Sequence, residues 1–199
     1  QHPQEALKTA RLLAKHQGFS KEAALGLLRS LAIESLDAAR DIDQLRRIWL
    51  QFDMADRRDA AVAAGAATRA AALGAAEEGR SWIKPFWDHL DDLSADDRAL
   101  LCEALVTVLE GIGPEWLPKL EAAAQAFPRE GAVAYSFGCA LAERQLWGKA
   151  RPLLQNAAAG TTLTPGAPRP ALCRLARLAD EQGDTEQATA CYEAAARLE

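Results

Sequence analysis

The side chains with the most chemistry to offer are three histidines, four cysteines and a run of carboxylates. His2, His16 and His89 stand far apart, and none has a histidine at i+4 or a cysteine at zinc-ligand spacing. Packing or surface roles are therefore expected for them, and no metal site. Cys102, Cys139, Cys173 and Cys191 contain no C-x-x-C pair, and three of them fall in apolar-periodic segments, so they read as reduced, small hydrophobes. That usage suggests a reducing compartment. Asp88, Asp91, Asp92, Asp96 and Asp97 are close enough to suggest an acid and base pair, but Ser94 lies at capping distance from Asp97. Carboxylates are also favoured where helix N–H groups point outward, so capping is the preferred account. No G-x-S-x-G elbow and no phosphate-cradling loop occurs, and no Ser, His and Asp set forms a nucleophile. The expectation is a chain that is not an enzyme.

Composition narrows the remaining classes. A chain of 199 residues with 49% hydrophobic content can bury a sizeable core. Its net charge of −5 provides no basic field for phosphates, which argues against nucleic acid or an anionic lipid surface as partner. The longest apolar stretches, such as Ala60 to Ala67, are interrupted well before the roughly 20 residues a bilayer span needs. The chain opens at Gln1 without an initiator Met, and a targeting or anchoring segment upstream is expected.

The elements that must carry these side chains are helices. Strand formers are scarce, while Ala, Leu, Glu, Arg and Gln recur at three- and four-residue spacing. Breaks at Gly18, Gly74, Gly111 to Pro114, Pro128 to Gly131 and Gly160 to Pro170 cut the chain into pieces of helical length. Ser94 with Asp97 and Asp184 with Gln187 have capping-box spacing, and Pro114 and Pro170 suit first helical positions. Pro118 and Pro152 are expected about one turn inside their helices, with local kinks.

A repeat organises these helices. Gly138 is followed by Ala150, Leu154 and Ala157, and the intervals recur in Ala176, Ala188, Tyr192 and Ala195, with Gly183 and Asp184 as the turn. These are the intervals of tetratricopeptide repeats, where small residues let paired helices approach and large ones fill the wedge between hairpins. Leu120, Ala123 and Pro128 continue the register upstream. The chain is thus expected to be one all-α, TPR-like α-solenoid of antiparallel helix hairpins spanning 1–199. Residues 1–55 form a degenerate hairpin plus an extra helix from Asp41 to Phe52. Hairpins follow at 56–90, 94–128, 131–160 and 169–198. Trp147 is expected to cover the preceding hairpin from the turn, with Gly148 letting the backbone pass. The Ala-dense stretch from Asp56 to Ile83 reads as close helix packing or as compositional bias.

Several blocks carry a family likeness. Gln145-Leu146-Trp147-Gly148-Lys149-Ala150, following Phe137-Gly138-Cys139, is similar to the Leu-Trp-Gly-Lys-Ala turn of the HemY family, and Gly113 to Leu198 resembles that family's C-terminal part. Trp116-Leu117 through Pro128, and Leu45-Arg46-Arg47-Ile48-Trp49 through Arg57-Arg58, resemble further family segments. HemY proteins are bacterial inner-membrane proteins with tetratricopeptide repeats, associated with haem biosynthesis. The resemblance implies an anchor of two transmembrane helices ahead of this chain, with the domain on the cytoplasmic face of the bacterial inner membrane. It implies late haem-biosynthesis enzymes as partners and no catalytic residue. A flavin-dependent protoporphyrinogen oxidase shares the name but needs a G-x-G-x-x-G turn. Here Trp116 stands where the third glycine would be and no strand precedes it.

Given that resemblance, an interaction scaffold is the leading expectation, and a haem or porphyrin carrier is the alternative. No cofactor is expected; were haem held, Cys139 or His89 would be its ligand, although neither sits in a Cys-Pro or C-x-x-C-H motif. Trp49, Trp82, Trp87, Trp116 and Trp147 could stack on a porphyrin, but filling wedges between helices is favoured. First helices of successive hairpins line the hollow side of a solenoid, which assigns the partner groove to three sets of residues. They are Arg98, Leu101, Leu105 and Val108; Tyr135, Cys139, Ala142 and Glu143; and Cys173, Arg174, Arg177 and Glu181. Asn156 is the only Asn and lies on a second helix, so a Lys and Asn carboxylate clamp for chaperone tails is not expected. Apolar side chains flanked by Arg174 and Arg177 suit an amphipathic helix or an extended segment carrying an acid.

Overall fold

A computed structural model describes residues 3–15, 20–159 and 168–198. His2, His16, Gly18 and most of the Gly160 to Pro170 break lie outside the described residues. Within them the chain is helical throughout, with no strand. The helices are α1 (Pro3–Lys15), α2 (Lys21–Asp37), α3 (Ile42–Gln51), α4 (Met54–Arg57), α5 (Ala60–Ala72), α6 (Ala76–Ile83), α7 (Ala95–Thr107), α8 (Leu117–Ala126), α9 (Gly131–Glu143), α10 (Trp147–Ala158), α11 (Pro168–Glu181) and α12 (Thr185–Ala196). Short 3-10 turns cover Lys84–Asp88, Leu90–Asp92 and Pro114–Trp116.

Side chains start many of these helices. Asp41, Asp53, Asp59, Ser94 and Asp184 each accept a hydrogen bond from a first-turn backbone N–H, at 2.7 to 3.1 Å. Three hairpin turns share one backbone device. Gly74, Gln145 and Gly183 take φ of 75°, 59° and 76°. The N–H of the next residue reaches back across five positions in every case: Ala75 to the Ala70 carbonyl, Leu146 to Leu141 and Asp184 to Ala179, at 2.8 to 2.9 Å. This six-to-one bond closes the last helical turn and favours glycine at the left-handed position. The repeat is therefore visible in the backbone as well as in side-chain spacing.

The small residues sit where nesting requires them. Ala150, Leu154, Ala157 and Ala176 are fully buried, and Ala188 and Ala195 nearly so. A Cβ on Gly138 would meet Leu154 Cγ at 2.8 Å, and one on Gly79 would meet the Ala67 carbonyl at 2.9 Å. Alanines 60, 61, 63, 64, 66, 67 and 70 of α5 are buried, which accords with close packing as the reason for that stretch. The protein is an all-α, TPR-like solenoid of helix hairpins.

Some local expectations change. Helices α1 with α2, α5 with α6, α9 with α10 and α11 with α12 pair closely, but α7 packs on α5 and α9, while α8 packs on α9 and the 3-10 segment. The 94–128 unit is therefore not a close hairpin. Trp87 and Trp116, both buried and in edge contact at 5.9 Å between ring centroids, fill the space beside it. Tyr192 is 43% exposed rather than wedged in the core, and its hydroxyl donates to Asp180 at 3.2 Å. Trp147 is half-buried, and Gly148 is exposed; a Cβ there would meet nothing within 4 Å, so no passing backbone requires glycine at that position. Pro118 and Pro170 stand in the first turns of α8 and α11, whereas Pro152 lies inside α10.

Candidate partner-binding groove

Three first helices, α7, α9 and α11, enclose an open groove of about 450 Å³. It brings together Tyr135, Cys139 and Glu143 of α9 with Cys173, Arg174 and Arg177 of α11. Arg174 reaches Glu143 at 3.8 Å across the helix boundary, with both side chains partly exposed. Such a pair is held weakly and can exchange its carboxylate for another. Tyr135 is half-buried at the floor, and burial pushes its hydroxyl well above the usual range. Burial likewise raises the Cys139 thiol to about 11, against the opposing pull of Arg174 and Tyr135. At neutral pH the floor is thus uncharged, and the cations sit at its edge.

The α7 contribution differs from expectation. Arg98, Leu101, Leu105 and Val108 are buried in the core, and the groove instead meets Val106, Thr107, Leu109 and Glu110. The cause is sandwiching: α7 lies between α5 and α9 and carries apolar residues nearly all round, so its inner face cannot be told from its outer face by periodicity. Ala142 is also buried and lies outside the lining, and Glu181 is exposed outside it.

Arg98 has a different task. Its Nε donates to both Glu130 carboxylate oxygens at 3.0 and 3.1 Å, its Nη1 donates to the Leu93 carbonyl at 2.5 Å, and its guanidinium lies 4.0 Å from the Phe127 ring centroid. It ties the start of α7 to the turn before α9. Arg80, also buried, donates to the Val108 carbonyl, to that of Glu110 at 2.5 Å and to that of Gly111 at 3.3 Å. These carbonyls lie at and just past the end of α7, and a cation there is well placed against the helix dipole. Arg80 carries no sequence signal and Arg98 reads as a groove-facing side chain, because an isolated Arg on a helix reads as surface.

The signal that could have found them is distance along the chain. Arg98 meets Glu130 32 residues on, Arg46 meets Glu78 32 residues on, Arg80 meets Glu110 30 residues on, and Arg144 donates to Ile112 32 residues back. One repeat of chain separates each clasp.

The carboxylates between Asp88 and Asp97 serve separate ends. Asp88 pairs with Lys119, which holds its carboxyl below the usual range, and Ser94 caps α7 while donating to the Asp97 carboxylate at 2.9 Å. Among the described residues no group of three or more His, Cys, Asp or Glu side chains could hold a metal ion. No described helix is long and apolar enough to cross a membrane.

A second cleft, of about 690 Å³, opens between α3, α4, α6 and the 3-10 segment after α6. Trp49 and Trp82 stack in it, with ring centroids 5.0 Å apart and planes tilted by 25°. His89 is exposed at its border. Trp49, Trp87 and Trp116 are buried, so indole packing between helices accounts for most of the tryptophans.

No protein family and no curated protein matches the chain. Among solved structures it is similar to one described as a mutant of MamA, with 22% identity over 86% of this chain and 95% of that one and a TM-score of 0.44.

Proposed function

We propose that this protein is a non-catalytic interaction scaffold whose groove between α7, α9 and α11 receives a partner segment bearing a carboxylate. The observation that carries this reading is the meeting of Arg174 and Arg177 over a floor containing Tyr135 and Cys139. An apolar floor beside weakly committed cations suits an amphipathic helix or an extended acidic segment, which binds by burying apolar side chains and takes its orientation from the charge. The Arg174 to Glu143 contact occupies the cation in the free protein and yields to a better-placed carboxylate.

The finer assignment follows from the family likeness at Leu146 to Ala150, Phe137 to Cys139 and Leu45 to Trp49. On that basis the full-length protein is tethered to the bacterial inner membrane, with this domain on the cytoplasmic face. There it gathers late enzymes of haem biosynthesis. The test is co-purification of those enzymes with the membrane-bound, full-length protein. Arg174→Glu with Arg177→Glu is expected to lower recovery about tenfold at unchanged expression. Equal recovery would move the site elsewhere, and recovery of unrelated proteins would remove the haem assignment.

The haem or porphyrin carrier remains the second reading, favoured by one feature. His89 borders the cleft with the stacked Trp49 and Trp82, whereas Cys139 is buried as a thiol. Titration with hemin separates the two readings. A carrier gives a stoichiometric Soret shift that His89→Ala abolishes, and a scaffold gives none.

A further inference from the structure

The aromatic cleft has features that the groove reading leaves unused. Its floor is the Trp49 and Trp82 stack with Phe86 and Leu93. Met54, in its lining, is 56% exposed. An exposed large apolar side chain beside an aromatic floor suits an occupant that covers both.

Charge says what kind of partner. The chain as a whole carries 28 carboxylates against 23 Lys and Arg. This cleft is the reverse: it presents Arg57, Arg58 and His89 against Asp92 alone. Several arginines elsewhere are committed: Arg46 to Glu78, Arg80 to the end of α7 and Arg98 to Glu130. Arg57 and Arg58 form no ion pair among the described residues. The Arg57 Nε is withdrawn from water without an acceptor there. A buried donor left unpaired is costly, and an incoming carboxylate removes that cost while meeting the guanidinium fork it fits.

We infer that this cleft is a second interaction site, which takes an acidic peptide segment. The segment inserts an aromatic or long aliphatic side chain against the Trp49 and Trp82 stack and sets a carboxylate on Arg57 and Arg58. A peptide is favoured because the cleft sets two cations beside an apolar floor, and an acidic segment carrying a large apolar side chain meets both. The site shares no residue with the groove of α7, α9 and α11, and either can fail without the other. With both present, the solenoid holds two partners at once.

The test uses a fluorescein-labelled acidic peptide about 12 residues long, with Phe and Leu at its centre and glutamates on both sides, followed by anisotropy. Binding is expected, with quenching of tryptophan emission and loss of affinity as salt rises. Arg58→Glu and Met54→Asp, both at exposed positions, weaken it about tenfold, while Arg129→Glu, exposed and outside both sites, leaves it unchanged. A peptide with lysines in place of the glutamates does not bind. Absence of binding up to about 1 mM overturns the proposal. So does binding that ignores Arg58→Glu, or that is lost on Arg177→Glu instead. A stoichiometric Soret shift with hemin that needs His89, in a cleft the peptide fails to enter, also overturns it.

Discussion

Gly138 and Leu154 touch backbone to side chain: a Cβ on the glycine would stand 2.8 Å from the leucine Cγ and 3.3 Å from its backbone nitrogen. Helices α9 and α10 nest only because that atom is missing. Gly138→Ala is expected to cost about 1–3 kcal/mol, since both helices must shift to admit it. Gly148→Ala, nearby in α10 with open space around it, is expected to gain about 0.5–1 kcal/mol from reduced chain entropy and better helix propensity. Urea unfolding of the two variants checks the contrast, and equal effects would contradict the nesting account.

Gln145 occupies the left-handed position that Gly74 and Gly183 hold in the equivalent turns. A side chain there costs roughly 1–2 kcal/mol. Gln145→Gly should therefore raise stability by about 1 kcal/mol, while Gly183→Ala should lower it by a similar amount. Thermal unfolding is the readout.

Arg98 closes the core beside Glu130 rather than facing the groove. Removing it strands a carboxylate that is 13% exposed, along with the Leu93 carbonyl and the face of Phe127. Arg98→Ala should cost about 3–5 kcal/mol, and Arg98→Lys should recover little, because a single ammonium cannot reproduce the fork. Arg98→Met combined with Glu130→Gln should recover most of the loss, since no buried charge is then left alone. Urea midpoints of the three variants and the parent protein check the order.

Burial raises the thiols of Cys102 and Cys139 to about 12 and about 11 from an ordinary value of 9.0. The folded chain keeps these protons at a pH where the unfolded chain has released them. Their contribution to stability is therefore whole below pH 9 and falls as pH climbs from about 9 toward 11 and 12. Unfolding midpoints measured across that window should decline, and Cys139→Ala should flatten part of the slope. Labelling with a thiol reagent at about pH 8 should modify Cys173 and Cys191, which are half-buried, before Cys102 and Cys139.

The hairpins are legible in the sequence because small residues at fixed intervals have one strong physical use, and Gly138, Ala150, Ala176 and Ala188 all meet it. The last two helices of the groove are legible for a related reason: Tyr135, Cys139, Arg174 and Arg177 follow from the hairpin register once first and second helices are told apart. Helix α7 is not, because Leu100, Leu101, Leu105, Val106 and Leu109 leave this segment no polar face wide enough to mark its orientation. Arg80 and Arg98 are hidden for the opposite reason. Long cationic side chains read as solvent-facing until a carbonyl or carboxylate one repeat away is recognised as the partner.

The most direct test of the groove places a photo-crosslinking residue at Thr107, in the lining, and separately at Gln155, which is exposed on α10 outside it. In cells producing the protein, Thr107 should yield a discrete protein adduct that Arg174→Glu with Arg177→Glu removes, and Gln155 should not. The same adduct from Gln155, or one from Thr107 that survives both charge reversals, would contradict the assignment.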